Sequence, residues 1–231
     1  MRLYYEAFVR LMYPATCGAC PVLLELDEKG LCSNCRSSLQ RLRFPVEESC
    51  LKEPLTWVDE GWTLFPYESP VKEILAGIKF ARKRWLVRIF KEEIDSFFGA
   101  LASENTYDVL IPIPLDHGKH FEREFNQSDL IAGLIQKKAG IRLNRRALAK
   151  YRHTLPQSQL SREERKINLK SAFRVQKGAQ IRGKRVLLVD DVLTTGATSS
   201  EAARVLKNHG AKRVDVFALA RTHAPAGSAT S

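Results

Sequence analysis

At 231 residues, with 37 Lys and Arg against 26 Asp and Glu, the chain carries a formal net charge of +11. That length is enough for one substantial core plus a small appended module, and the charge favours anionic partners. No stretch approaches the roughly 18 uninterrupted apolar residues of a bilayer-spanning helix, which excludes a helical membrane span.

Residues 1–14 place Leu3, Tyr4, Ala7, Phe8, Leu11 and Met12 near helical spacing and predict a short amphipathic helix. The same stretch carries Arg2, Glu6 and Arg10 and lacks the apolar region of a signal peptide, so a cytoplasmic location is expected. Next come two CxxC knuckles, Cys17 with Cys20 and Cys32 with Cys35, separated by eleven residues. The spacing suits four thiolates around a tetrahedral Zn²⁺, and four protein ligands leave no open position for catalysis, so the metal is structural. Two disulfides are the competing reading, disfavoured in a reducing compartment. Cys50 has no CxxC partner and reads as a buried apolar thiol. These features predict a helix and zinc-ribbon module over residues 1–50, joined by an acidic, Pro-containing connection to a main domain over 60–221. A disordered tail over 222–231 follows.

Within the main domain, residues 62–67 read as a strand, and Ser69-Pro70 as the start of a helix bearing Val71, Ile74, Leu75 and Ile78. The segment 79–91, KFARKRWLVRIFK, interleaves Phe80, Trp85 and Phe90 with Lys79, Arg82, Lys83 and Arg84. Aromatics that stack on bases and cations that track phosphates are the pattern of single-stranded DNA binding. Against this, Leu86, Ile89, Phe90, Ile94, Phe97 and Phe98 fall at helical spacing, which predicts that most of these aromatics face the core and the cations form a solvated face. Both readings stay open.

Residues 108–114, DVLIPIP, form a second buried strand ended by prolines. The following loop offers His117, Lys119, His120, Arg123 and Asn126 as donors for a pyrophosphate, and a helix starting at Ser128 carries Leu130, Ile131, Leu134 and Ile135. The polar segment 150–170 contains a capping box, Ser161-Arg162-Glu163-Glu164. Its cations, Arg162, Arg165 and Lys166, suit a loop that closes over a diphosphate and excludes water.

The segment 186–199, VLLVDDVLTTGATS, is the most specific. An apolar, β-branched run predicts a parallel strand covered on both faces, and Asp190 and Asp191 follow it. They can accept hydrogen bonds from a ribose diol or hold Mg²⁺ through water. Thr194, Thr195, Gly196, Ala197 and Thr198 then supply hydroxyls and helix-start amides, a cup for a phosphate dianion. The helix beyond carries Ala202, Ala203, Val205 and Leu206 and stops near Gly210. A nucleotide triphosphatase also places acids after an apolar strand, but GxxxxGK[ST] does not occur in the chain.

The segment resembles the phosphoribosyl pyrophosphate (PRPP) motif of type I phosphoribosyltransferases. Together with the two knuckles, residues 67–80, Ile111-Pro112-Ile113-Pro114, Glu124-Phe125-Asn126-Gln127 and residues 157–168, it is similar to the successive blocks of the ComF family of competence proteins. The resemblance implies an α/β fold, a type I phosphoribosyltransferase-like parallel sheet flanked by helices, with a small amino-terminal four-cysteine zinc ribbon. It also implies a role in natural transformation, with DNA-uptake or helicase proteins as partners. On it, Asp190 and Asp191 hold the ribose hydroxyls or Mg²⁺-bound water, residues 194–198 bind the 5′-phosphate, and Arg162 and Arg165 stabilise departing pyrophosphate. Two departures stand out: family members often have RGFNQ where this chain has Glu124 in place of the glycine, and many carry further cysteines where here only Cys50 remains.

In purine-salvage transferases the third residue after the acidic pair is an aspartate general base. Thr194 resembles that position and cannot do such work near neutral pH, which argues against purine salvage. Two classes remain: a binding protein that keeps the phosphate cup for PRPP or a nucleotide and handles single-stranded DNA, and an active phosphoribosyltransferase with an unidentified acceptor.

Overall fold

A computed structural model describes Met12 and residues 14–101, 107–115, 125–150 and 172–222. The expected helix over 1–14 (Met12 apart), the donors at 117–123, Glu124, the loop bearing Arg162 and Arg165, and the tail beyond Thr222 lie outside the described residues.

The sheet has the order β1 (Gly61–Pro66), β6 (Arg213–Arg221), β5 (Arg185–Leu193), β2 (Val109–Pro112), every pair parallel. Val186 pairs with Val109 on one side and Val214 on the other, so the strand that carries the acidic pair is central. Successive side chains point to opposite faces, and both faces are apolar, as in a parallel sheet covered on each side. Trp62, Leu64, Leu110, Leu187, Val189, Phe217 and Leu219 pack on one side against α2 (Val71–Phe80), α3 (Lys91–Leu101) and α4 (Gln127–Ala139). Phe97, Phe98 and Phe217 form the aromatic centre of that layer, with ring centroids 5.1 to 5.5 Å apart. The alternate residues, Val109, Ile111, Val186, Leu188, Val214 and Val216, pack against α5 (Ala197–Asn208) and the short antiparallel pair β3 (Leu148–Lys150) and β4 (Phe173–Val175).

At the amino end of the sheet, Asp215 is fully buried and takes hydrogen bonds from the Tyr107 hydroxyl (2.9 Å), Arg213 Nε (2.7 Å) and the Glu60 amide (3.0 Å). A buried carboxylate with this many donors is a structural anchor, and it leaves the carboxyl end free for chemistry.

The outer edges of β1 and β2 are both covered. Leu51 donates to Gly61, Thr63 to Ser49 and Phe44 to Leu64, so the segment before β1 runs along it. Leu110 donates to Arg142, and Asn144 donates to Leu110. Cys50 departs from expectation: its bridge to Trp62 leaves the residue exposed, not buried.

The cysteine module is not a detached bead. Helix α1 (Ser33–Leu42) begins within the second knuckle, with Cys32 at its cap and Cys35 in its first turn, and Leu31, Cys32 and Leu39 join the same apolar cluster as Leu86 and Phe90. Gly18 shows how close the approach is, because a Cβ there would lie 2.4 Å from Leu86 Cδ2.

The segment 79–91 also departs from expectation. Helix α2 ends at Phe80, Arg82 takes a left-handed φ of 55°, and a 3₁₀ helix runs over Arg84–Phe90 before α3 begins. This break shifts the register. Phe90 is buried as the spacing predicts, but Phe80 and Trp85 are 71% and 47% exposed, so two of the three aromatics are available to solvent.

Candidate functional site

The carboxyl ends of β5 and β2 and the starts of α4 and α5 meet in a cleft of about 260 Å³. Asp190, Asp191, Thr194, Gly196, Ala197 and Thr198 line it, together with Tyr67, Lys79, Gln127, Ser128 and Lys150. The strand over 108–114 thus ends beside Asp190, with Ile113 donating to the Val189 carbonyl at 2.9 Å. Thr195 is the exception among the predicted cup residues: its hydroxyl accepts the Ala197 amide at 3.4 Å inside the turn.

Asp190 Oδ1 accepts from Ser128 Oγ at 3.1 Å and from the Asp191 amide at 2.9 Å. Burial, and after it the adjoining Asp191 carboxylate, push the Asp190 carboxyl up to about 8. A cation or a pair of hydroxyl donors would relieve that cost, so this donor set fits Mg²⁺ or a ribose diol. Two further atoms point the same way. Gln127 Nε2 and Ser199 Oγ belong to residues lining the cleft and are buried with no hydrogen-bond partner among the described residues, which polar groups rarely tolerate unless a ligand or water completes them.

Gly196 precedes α5 with φ of 68°, and a Cβ at this position would stand 2.3 Å from Leu55 Cδ2. A glycine in a phosphate cup permits close approach of backbone to the anion. In the fold the close neighbour is Leu55, brought over from the connection that precedes β1.

Helix α4 begins one residue earlier than predicted. Asn126 is its cap, accepting the Ser128 amide at 3.1 Å while its own amide nitrogen donates to Ile113 at 2.8 Å. Both polar groups of Asn126 are therefore used within the fold, and the residues that reach the cleft are the next two, Gln127 and Ser128. In the sequence Gln127 is marked only by the Phe-Asn-Gln block, and Ser128 only as the start of a helix. Of the cations assigned to nucleic acid, Lys79 lines the cleft, Arg84 lines a neighbouring groove with its guanidinium 4.8 Å from the Phe125 ring centroid, and Arg82 and Lys83 are exposed. Arg162 and Arg165 lie outside the described residues.

At the metal centre, one sulfur from each of Cys17, Cys20, Cys32 and Cys35 lies within 4.8 Å of the others, and all four cysteines are free thiols. Cys20 Sγ and Cys32 Sγ are 3.7 Å apart. That is far from a disulfide bond of about 2.05 Å and close to the roughly 3.8 Å edge of a tetrahedron with 2.3 Å zinc–sulfur bonds. Burial acts to raise Cys17, but amide hydrogen bonds from Cys32, Ala19 and Cys20 outweigh it and bring the thiol down to about 7. Burial and the neighbouring sulfurs push Cys35 up. Four sulfurs this close would repel one another as thiolates unless a cation lay among them, and the residues are placed to hold one.

A family described as Phosphoribosyl transferase domain matches residues 130–228. The chain is 31% identical over 233 residues to the DNA utilization protein YhgH of Salmonella typhimurium strain LT2, covering 92% of this chain and 99% of that protein. Its identity to YhgH of Escherichia coli K12 is 30% over 230 residues, with the same coverage. Competence protein F of Haemophilus influenzae, 27% identical over 223 residues, covers 89% of this chain and 96% of its own length. The chain belongs to the ComF family. The ComF assignment accounts for both ends of the molecule, the four-cysteine cluster and the phosphoribosyltransferase-like parallel sheet. No described helix is long and apolar enough to cross a membrane.

Proposed function

We propose that this ComF protein binds PRPP, or a related ribose 5-phosphate compound, with Mg²⁺ in the Asp190 cleft, and holds single-stranded DNA on the basic surface beside it. It would act in the cytoplasm, in the DNA uptake or utilization that its relatives' names describe, with zinc in the cysteine cluster. The observation that carries the reading is the convergence of unlike groups on one cleft. Asp190 and Asp191 offer acceptors for a diol or for a hydrated cation, the start of α5 offers amides and threonine hydroxyls for a phosphate, and Lys79 and Lys150 offer positive charge. Mg²⁺ would supply charge neutralisation for the diphosphate.

Isothermal titration with PRPP and Mg²⁺ tests the cleft. Asp191→Asn removes a charged acceptor, and affinity should fall roughly ten- to a hundredfold, as expected for a charge-assisted hydrogen bond of about 1.5–3 kcal/mol. Unchanged affinity in this variant would remove PRPP from the site. Pyrophosphate release across a panel of acceptor bases decides between binding protein and transferase. Thr194 in place of an aspartate base favours the former.

Exposed Phe80 and Trp85 beside Arg82, Lys83 and Arg84 favour the DNA reading over a purely solvated face. Neutralising those three cations should weaken a single-stranded oligonucleotide about tenfold or more at low salt and flatten the salt dependence by about 0.7 in slope per lost phosphate contact. PRPP affinity should hold, because Arg82, Lys83 and Arg84 are not among the residues lining the cleft. Equal binding of the oligonucleotide by the parent and the triple variant would leave this surface without a DNA role.

A further inference from the structure

The Asp190 cleft shares Pro114, Leu115 and Lys150 with a second, larger groove of about 730 Å³. Neither the family resemblance nor the PRPP motif assigns it a ligand. Its cations come from four separate places in the chain: Arg84 in the 3₁₀ helix, Arg145 and Arg146 before β3, Lys150 at the end of β3, and Lys177 in the turn after β4. Among the described lining residues the one carboxylate is Asp129, already held by Arg145 at 2.6 Å. The groove is therefore strongly cationic and will draw an anion.

Charge alone does not name the anion, but the rest of the lining narrows it. Phe125 is buried, and the Arg84 guanidinium lies over its ring. A guanidinium seated over an aromatic ring can offer its other side as a stacking surface for a base. Pro112, Pro114 and Leu148 give the floor an apolar strip, and Asn144 and Gln176 bring amide groups to the wall. An acidic peptide would use the charges and leave the stacking plane idle. A nucleotide uses both, and the volume is within the roughly 300–1,000 Å³ of small-ligand sites.

We propose that this groove is a nucleotide site, with a base stacked on Arg84 and phosphate held by Arg146 and Lys177, directly beside the ribose-phosphate cleft. The nucleotide is either free or one residue of a single strand, and the inference rests on the reading of this protein as a nucleic-acid binder. A strand seated here would pass within reach of Lys150, the cation that both sites share.

The experiment is fluorescence anisotropy of the full chain at low salt with two probes, a labelled AMP and a labelled dT decamer. It compares the parent with Arg84→Ala and with the double variant Arg146→Ser, Lys177→Ser. Each variant should weaken the probe that binds about tenfold, and the double variant should also lower the salt slope, while PRPP titration and Tm stay at parental values. Loss confined to the decamer identifies the strand as the source, and loss of AMP as well identifies the free nucleotide. Parental affinity for both probes in both variants would overturn the groove site while leaving PRPP and DNA binding standing. Failure of the parent to bind either probe would overturn the nucleic-acid reading itself. Poly-glutamate displacing the decamer at equal concentration would overturn the nucleotide chemistry.

Discussion

Gly196→Val is expected to abolish measurable PRPP binding and to lower Tm by several degrees. Two physical terms act together. The φ of 68° is left-handed backbone, which costs a non-glycine residue about 1–3 kcal/mol and is worst for a β-branched one. The new Cβ also meets Leu55 Cδ2 at 2.3 Å and Cδ1 at 3.0 Å, so Leu55 must move or the turn must. At about 2–4 °C per kcal/mol for a chain of this size, the strain is readable by calorimetry. A series separates the terms. Gly196→Ala should be harmful, Gly196→Ala with Leu55→Ala should recover the steric part, and Gly196→Asn with Leu55→Ala should retain the most binding, because asparagine also tolerates left-handed backbone. If the valine variant binds PRPP like the parent, residues 194–198 are not the phosphate cup.

The second large effect is at the cysteine cluster. Protein purified under reducing conditions should contain one zinc per chain, and Cys17→Ser should contain little or none, since a structural site contributes its binding free energy to folding. Cys17 also accepts the Cys32 and Ala19 amides on its sulfur at 3.3 and 3.5 Å, so the substitution loosens both knuckles at once. The damage should extend past the module: Leu31, Cys32 and Leu39 are part of the cluster that buries Leu86 and Phe90. Hydrogen exchange should therefore quicken over Arg84–Phe90 as well as over α1, with the central strands β5 and β6 still protected. Stoichiometric zinc in the serine variant, or none in the parent, would rule out this ligand set.

What could be read in the sequence followed from local periodicity and from short motifs. The apolar run before Asp190, the stripe over Ala202, Ala203, Val205 and Leu206, and the prolines after Ile111 each settle their own element. Cysteine spacing settles the cluster because a short loop at the first knuckle and the first turn of α1 at the second each bring their two sulfurs together. Periodicity failed where the chain leaves the α-helix: the left-handed Arg82 and the 3₁₀ turn over Arg84–Phe90 reset the angular register, so Trp85 faces outward although a continuous helix would not place it there. The site was legible where it is contiguous and hidden where it is assembled. Lys79, Gln127, Ser128 and Lys150 arrive from three different elements. Leu55 could not be connected to Gly196 by any local pattern. The cations of the second groove are scattered over 84–177 and form no run at all.

The covered sheet edges constrain how this protein can meet others. Residues 44–51 occupy the open side of β1, and residues 142–144 occupy that of β2, so neither strand offers a free row of amides and carbonyls. Recruitment by donating a strand, a common way for extended peptides to dock on a sheet, is closed at both ends, and so is edge-to-edge aggregation of the central sheet. A protein that engages the central sheet must therefore recognise side chains, and on a chain with a formal charge of +11 a complementary partner surface is acidic. On the DNA-binding role proposed above, such a surface would compete with DNA for the same lysines and arginines, and a strand would be handed over by displacement.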